Sequence, residues 1–164
     1  MPPTEAERLR VLRERAILDT PPDPTFDGIV QLASHLCDTP VALVSLVDED
    51  RQWFKARLNF PQCQTDLDRS VCRFVVTTAD LLVIPDLTAD PRTRANPLVT
   101  HDPHIRFYAG APLITASGHV LGALCVIDDV PRPEGLSPGQ TAGLRALAQQ
   151  TVEAIELRRA LRDH

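Results

Sequence analysis

The chain has no apolar run approaching the roughly 20 residues that cross a bilayer, so no membrane insertion is expected. Its start, Met1-Pro2-Pro3-Thr4, carries neither the charged head nor the apolar core of a secretory signal, which points to a cytoplasmic protein. Basic residues number 17 against 22 acidic ones, for a net charge of -5, and are scattered rather than gathered into a stripe. The electrostatic footprint of a nucleic-acid binder is therefore missing, and no DNA or RNA partner is expected. Cysteine is scarce and irregularly spaced, at Cys37, Cys63, Cys72 and Cys125. In a reducing compartment that pattern argues against a disulfide framework, so all four read as free thiols. There is no internal repeat and no low-complexity tract.

What is present is enough for one domain: 164 residues bury about 70% of the surface their unfolded form would expose. Thr4 and Glu7 have capping-box spacing, and Leu9, Leu12 and Ala16 recur at helical intervals until Asp19-Thr20-Pro21-Pro22. Phe26, Ile29, Val30, Ala33, Leu36 and Cys37 form a second helical stripe between Asp23-Pro24 and Pro40. The β-branched run from Val41 to Val47, the break at Asp48-Glu49-Asp50 and the run from Gln52 to Leu58 read as a β-hairpin. Residues 59–69 show no period and read as a loop. Leu82 to Ile84 is a short strand, and Pro85 to Pro103 is a long loop with four prolines and room for one helical turn near Asn96.

Two strands then follow, Ile105 to Leu113 and His119 to Asp128, separated by the hairpin signal Ala116-Ser117-Gly118. Gly110 and Gly122, with Ala109, Ala111 and Ala123, leave one face thinly furnished, which invites a ligand or a packed helix. Ser137-Pro138-Gly139-Gln140 combines an N-cap, proline at the first helical position and a capping-box glutamine. The stripe Leu144, Leu147, Ala148, Val152, Ile155 and Leu161 carries that helix for about 25 residues, or about 37 Å at the usual rise. No stop signal ends it, so the chain is expected to be cut from something longer.

These segments resemble a GAF domain of the kind found in bacterial sensor kinases and other signalling proteins. The resemblance rests on Ile17-Leu18-Asp19-Thr20 with Phe26-Asp27, Val44 to Asp48 with Arg51 to Ala56, Asp90-Pro91-Arg92 with Asn96-Pro97, Ile105 to Leu113, and Leu121 to Asp128. It implies an α+β sandwich: a central antiparallel sheet of five to six strands, the N- and C-terminal helices on one face, and short helices and loops forming a pocket on the other. It also implies that Ser70 caps a helix opening at Val71, although Val75-Val76-Thr77-Thr78 alone would favour a strand. Residues 1–22 are then an N-terminal helix and linker, 23–136 the core, and 137–164 a signalling and dimerisation helix, all within one domain.

The sequence departs from the pattern at four points. Val71 precedes Cys72 where the subgroup has phenylalanine, and His101 stands where glycine commonly follows the Val-Thr pair. The residue set of cyclic-nucleotide GAF domains is not recognisable. Arg73 follows Cys72 in place of the histidine of bilin-anchoring domains, so a covalent bilin is not expected. The sequence names no cofactor.

The candidate pocket residues are Cys72, Arg92, Asn96, Arg106, Tyr108 and Trp53. Cys72, in the first turn of its helix and flanked by Arg69 and Arg73, is the best placed reactive group. The bland alternative, a small side chain filling a gap, is preferred because no base or resolving partner is visible. Cys37 and Cys125 read as core residues, and Cys63 as exposed. Arg92 and Asn96, with Arg94, Arg106 and Tyr108, can meet an anionic or carbonyl-bearing ligand. Alternatively Arg92 and Asn96 tie the long loop down through Asp86 or Asp90, which is the preferred reading. Trp53 and Phe54 alternate across their strand, one toward the core and one toward the pocket or solvent. Asp48 and Asp128 read as strand-end turn residues. His101 and His104 are too irregularly placed for a metal, and none is assigned.

The expected function is that of a sensory GAF domain in a signal-transduction protein such as a two-component system. It would bind an unidentified small molecule, dimerise through its terminal helices, or both, and relay a signal to a downstream kinase or other output domain. The segment itself is expected not to be an enzyme; any histidine kinase activity would lie outside it. Two alternatives stand: a thiol-dependent reductase of the free-methionine-sulfoxide-reductase type using Cys72, perhaps with Cys63, and a ligand-free dimerisation spacer.

Overall fold

A computed structural model describes residues 4–163; the reading of Met1-Pro2-Pro3 lies outside them. Helix α1 (Glu5–Glu14) is capped by the Thr4 side chain, which accepts from Glu7 N. It ends earlier than the periodicity through Ala16 predicts. Ala16 takes the left-handed region (φ 51°), and the resulting turn delivers Ile17 into the core at 0% exposure. Helix α2 (Pro24–Cys37) starts on the Asp23 cap with proline in its first turn, as the Asp-Pro signal predicts.

Strands β1 (Val41–Val47), β2 (Arg51–Leu58), β3 (Gln64–Asp66), β4 (Leu82–Ile84), β5 (Phe107–Ile114) and β6 (Val120–Asp128) form one antiparallel sheet among the described residues. Its order is β3-β2-β1-β6-β5-β4. The 59–69 segment is thus not wholly a loop. Hydrogen bonding to the edge of β2 recruits Gln64–Asp66 as a third strand, and a 3-10 turn over Leu67–Arg69 is held by the Asp66 side chain on Arg69 N. So short a strand carries no detectable alternation of its own.

Helix α3 (Cys72–Thr78) lies across one face of the sheet, with the one-turn α4 (Pro97–Thr100) capped by Asn96. Helix α5 (Pro138–Arg162) has the full capping box of Ser137 and Gln140 and runs 25 residues. The two faces carry separate cores. Val44, Leu46, Trp53, Phe107, Leu124 and their neighbours pack against α1, α2 and α5. Leu43, Phe54, Tyr108, Cys125 and Ile127 pack against Cys72 and Val75 of α3 and against Leu98 and Val99. Adjacent strand residues therefore serve opposite faces, as a pleated sheet requires.

The pairing of β1 with β2 shifts register between Val44 and Ser45, where Val44 faces Ala56 and Ser45 faces Phe54. Lys55 is the extra residue of this bulge, which redirects its side chain out of the ladder. Its Nζ donates to Thr20 Oγ1 (2.8 Å) and to the Pro21 carbonyl (2.5 Å), fastening the linker after α1 to the sheet.

Candidate functional site

The face beneath α3 is where the chemistry-bearing side chains meet. Ser70 Oγ accepts from Arg73 N at 3.2 Å, but the helix opens at Cys72, one residue later than expected, with Val71 and not Ser70 in the N-cap position. Ser70 also donates to Gln52 Oε1 (2.8 Å), Ser45 donates to the same oxygen (3.0 Å), and Gln52 Nε2 donates to Thr65 Oγ1 (3.0 Å). This buried network binds β1, β2, β3 and the start of α3 into one polar knot, whose partners satisfy one another in a low dielectric.

Against that knot lie three groups in contact. The Tyr108 hydroxyl donates to Cys72 Sγ at 3.0 Å, and Cys72 Sγ stands 3.8 Å from Cys125 Sγ. Tyr108 is 1% exposed, Cys72 2% and Cys125 0%. Gly110 permits the arrangement: it pairs with Cys125 across the β5–β6 ladder, and the Tyr108 ring lies over it. Burial raises the Cys72 thiol, but hydrogen bonds from Cys125 and Tyr108 outweigh it and hold the group below the ordinary thiol range. Cys125 moves the opposite way, raised by its bond to Cys72 and by burial. Of the two sulfurs, Cys72 is the more readily deprotonated.

The structure thus supplies the partner that was not visible for Cys72. Cys125 is buried on β6, and its neighbourhood to Cys72 follows only from the strand register, 53 positions along the chain. Cys63 is exposed and is not joined to this pair. Ser45 and Gln52 were also missed, although a polar residue inside an apolar strand is a detectable signal of a buried network.

The other candidates occupy different places. Asn96 is buried and its side chain accepts from Leu98 N at 2.9 Å, holding α4. Arg92 pairs with Asp90 at 3.0 and 2.7 Å on the surface, and that guanidinium lowers the Asp90 carboxyl below its ordinary range. Arg106 donates to the carbonyls of Val99 (2.9 Å) and Ile105 (3.0 Å). These contacts tie the long loop to itself and to β5. Trp53 belongs to the core under the terminal helices, and Phe54 is its counterpart facing α3.

Between Phe54, Phe60, Leu98, Ile105 and Tyr108 the space beneath α3 narrows to about 10 Å³, roughly the room one water needs. The small residues of β5 and β6 are accounted for within the chain. The Tyr108 ring covers Gly110, and the Ser45 carbonyl approaches so near Gly122 that a Cβ would lie 1.9 Å from its oxygen. Ala109 and Ala111 pack in the core that the terminal helices cover.

A family model for the GAF domain matches residues 21–155. A cyclic di-GMP phosphodiesterase of Pseudomonas aeruginosa is 41% identical over 131 residues, which are 80% of this chain and 22% of the relative. The chain therefore spans about a fifth of the length of that curated relative. Among solved structures, the GAF domain of an Acinetobacter phosphoenolpyruvate-protein phosphotransferase is similar with a TM-score of 0.65 at 17% identity, covering 100% of both chains. A free methionine-R-sulfoxide reductase from Neisseria meningitidis, solved with its substrate, gives 0.66 at 17% identity, covering 95% of this chain and 90% of that one. At these identities the structural likeness is one of fold.

Proposed function

Because the chain belongs to the GAF domain family, a signalling and sensor fold, we propose that it is a regulatory module that dimerises through its terminal helices. In this reading it passes the state of its α3 face to a separate output domain. The supporting observation is the alternation along the central strands: Cys125 touches the α3 side while Leu124 and Val126 lie in the core under the terminal helices. A displacement beneath α3 has only the thickness of one strand to cross before it meets that second core. A packed core of this kind transmits small shifts rather than absorbing them.

Helix α5 is the proposed output. Its last turns carry Leu157 and Leu161, 61% and 68% exposed, four residues apart and so on one face. Two large apolar side chains left in water together fit a helix that pairs with a second copy. The phosphodiesterase activity named for the Pseudomonas relative makes a cyclic-di-GMP-hydrolysing domain one output class to test, beside a kinase. In either case the catalysis is assigned to another part of the protein.

A second reading, the dimerising spacer, is supported by how little room remains beneath α3. Native mass spectrometry of freshly purified protein separates the two. A dimer carrying a small molecule supports the sensor, a bare dimer supports the spacer, and a monomer overturns both.

A further inference from the structure

We propose that Cys72 and Cys125 form a reversible intramolecular disulfide, with a small hydroperoxide as the oxidant. This goes beyond the sensor reading and does not depend on dimerisation. Three observations converge on it. The sulfurs are 3.8 Å apart, so closing to a bond of about 2.05 Å needs a relative movement of less than about 2 Å. They lie on separate elements, the first turn of α3 and the middle of β6, so the closing movement is one of α3 relative to the sheet. The adjoining void of about 10 Å³, close to the room one water needs, excludes bulky thiol reagents and favours a small oxidant.

The roles of the two sulfurs are unequal. Cys72 Sγ receives the Tyr108 hydroxyl at 3.0 Å, a hydrogen bond that favours its thiolate. That thiolate attacks one oxygen of the peroxide. An S–O bond forms, the O–O bond breaks, and the departing hydroxide takes a proton to leave as water, giving a sulfenic acid at Cys72. Cys125 then attacks the Cys72 sulfur; the S–S bond forms, the S–O bond breaks, and the second oxygen leaves as water with the Cys125 proton. In sum two thiols and one peroxide give one disulfide and two waters. A dithiol reductant reverses the step by thiol–disulfide exchange.

The opposite shifts of the two thiols, Cys72 downward and Cys125 upward, agree with Cys72 as the attacking and Cys125 as the resolving residue.

The test is to treat the whole chain with hydrogen peroxide, quench with an alkylating reagent in denaturant, and map the peptides. Two of the four thiols are expected to be protected, with Cys72 linked to Cys125 and the link lost on reduction. In Cys125→Ser a trappable sulfenic acid should accumulate at Cys72, and in Cys72→Ser the Cys125 thiol should remain free. Tyr108→Phe should slow the oxidation severalfold while leaving the linkage site unchanged. Four alkylated thiols after peroxide treatment, or a link that joins Cys63 of two chains and leaves Cys72 free, would overturn the proposal. Because the wild-type map needs no variant, a misfolded mutant does not obscure the result.

Discussion

The phenol of Tyr108 occupies the space above Gly110: a Cβ built on that glycine would lie 2.4 Å from the tyrosine oxygen and 2.8 Å from Cζ. Tyr108 is 1% exposed and its hydroxyl is held on Cys72, so the ring has nowhere to retreat. Gly110→Ala is therefore expected to destabilise the domain by about 1–3 kcal/mol, the usual cost of overpacking. In a Tyr108→Leu background the same change should cost much less. Denaturant unfolding of the four proteins in this cycle measures the coupling directly; equal costs in both backgrounds would show that the ring is not what Gly110 accommodates.

A second prediction concerns alkaline pH. Burial pushes the Cys37 thiol from its ordinary value near 9.0 up to about 11, with the Arg132 guanidinium opposing the shift. The folded state keeps this proton where the unfolded chain loses it. The stability contribution is present below about pH 9 and is lost as pH rises through about 11. Its size is roughly 2–3 kcal/mol. The stability difference between wild type and Cys37→Ala should thus shrink across that window, as read from chemical denaturation at several pH values. A constant difference would contradict the assignment.

The terminal helices are joined by a third feature. Arg15 is 6% exposed, and its Nε donates to Glu156 of α5 at 2.7 Å while Arg158 donates to the Arg15 carbonyl at 3.1 Å. Glu156→Gln removes the nearer of the two carboxylates that face a nearly buried guanidinium, the other being Glu14 at 3.8 Å. A loss of about 1–3 kcal/mol is expected, with hydrogen exchange accelerating first in α1 and the end of α5. Unchanged exchange there would mean that the pair does not couple the two helices.

Much of this arrangement is legible before the coordinates. The α2 and α5 boundaries follow from Asp23-Pro24 and from Ser137 to Gln140, because caps act through adjacent backbone groups. The β5–β6 hairpin follows from its two runs of strand formers and the Ala116-Ser117-Gly118 turn signal between them. The edge strand Gln64–Asp66 is not legible, since three residues at a sheet edge are recruited by their neighbour and not by their own propensity. Nor is the Cys72–Cys125 contact, which depends on register and on the ring of Tyr108 lying over Gly110. Candidate residues chosen by chemical type separated accordingly: Cys72 and Tyr108 meet, while Arg92, Asn96 and Arg106 hold the long loop and Trp53 faces the opposite core. Local signals fix elements; long-range pairing decides which side chains share a site.

The claim that α5 carries the association of two copies is tested most directly by sedimentation velocity. The chain is compared with the Leu157→Glu, Leu161→Glu double variant over a range of concentrations. Both side chains are more than half exposed, so the variant should fold as wild type does by circular dichroism. The account predicts a dimer for the wild type and a monomer for the variant at equal concentration. A wild type that stays monomeric throughout, or a variant that dimerises as tightly as wild type, would contradict it.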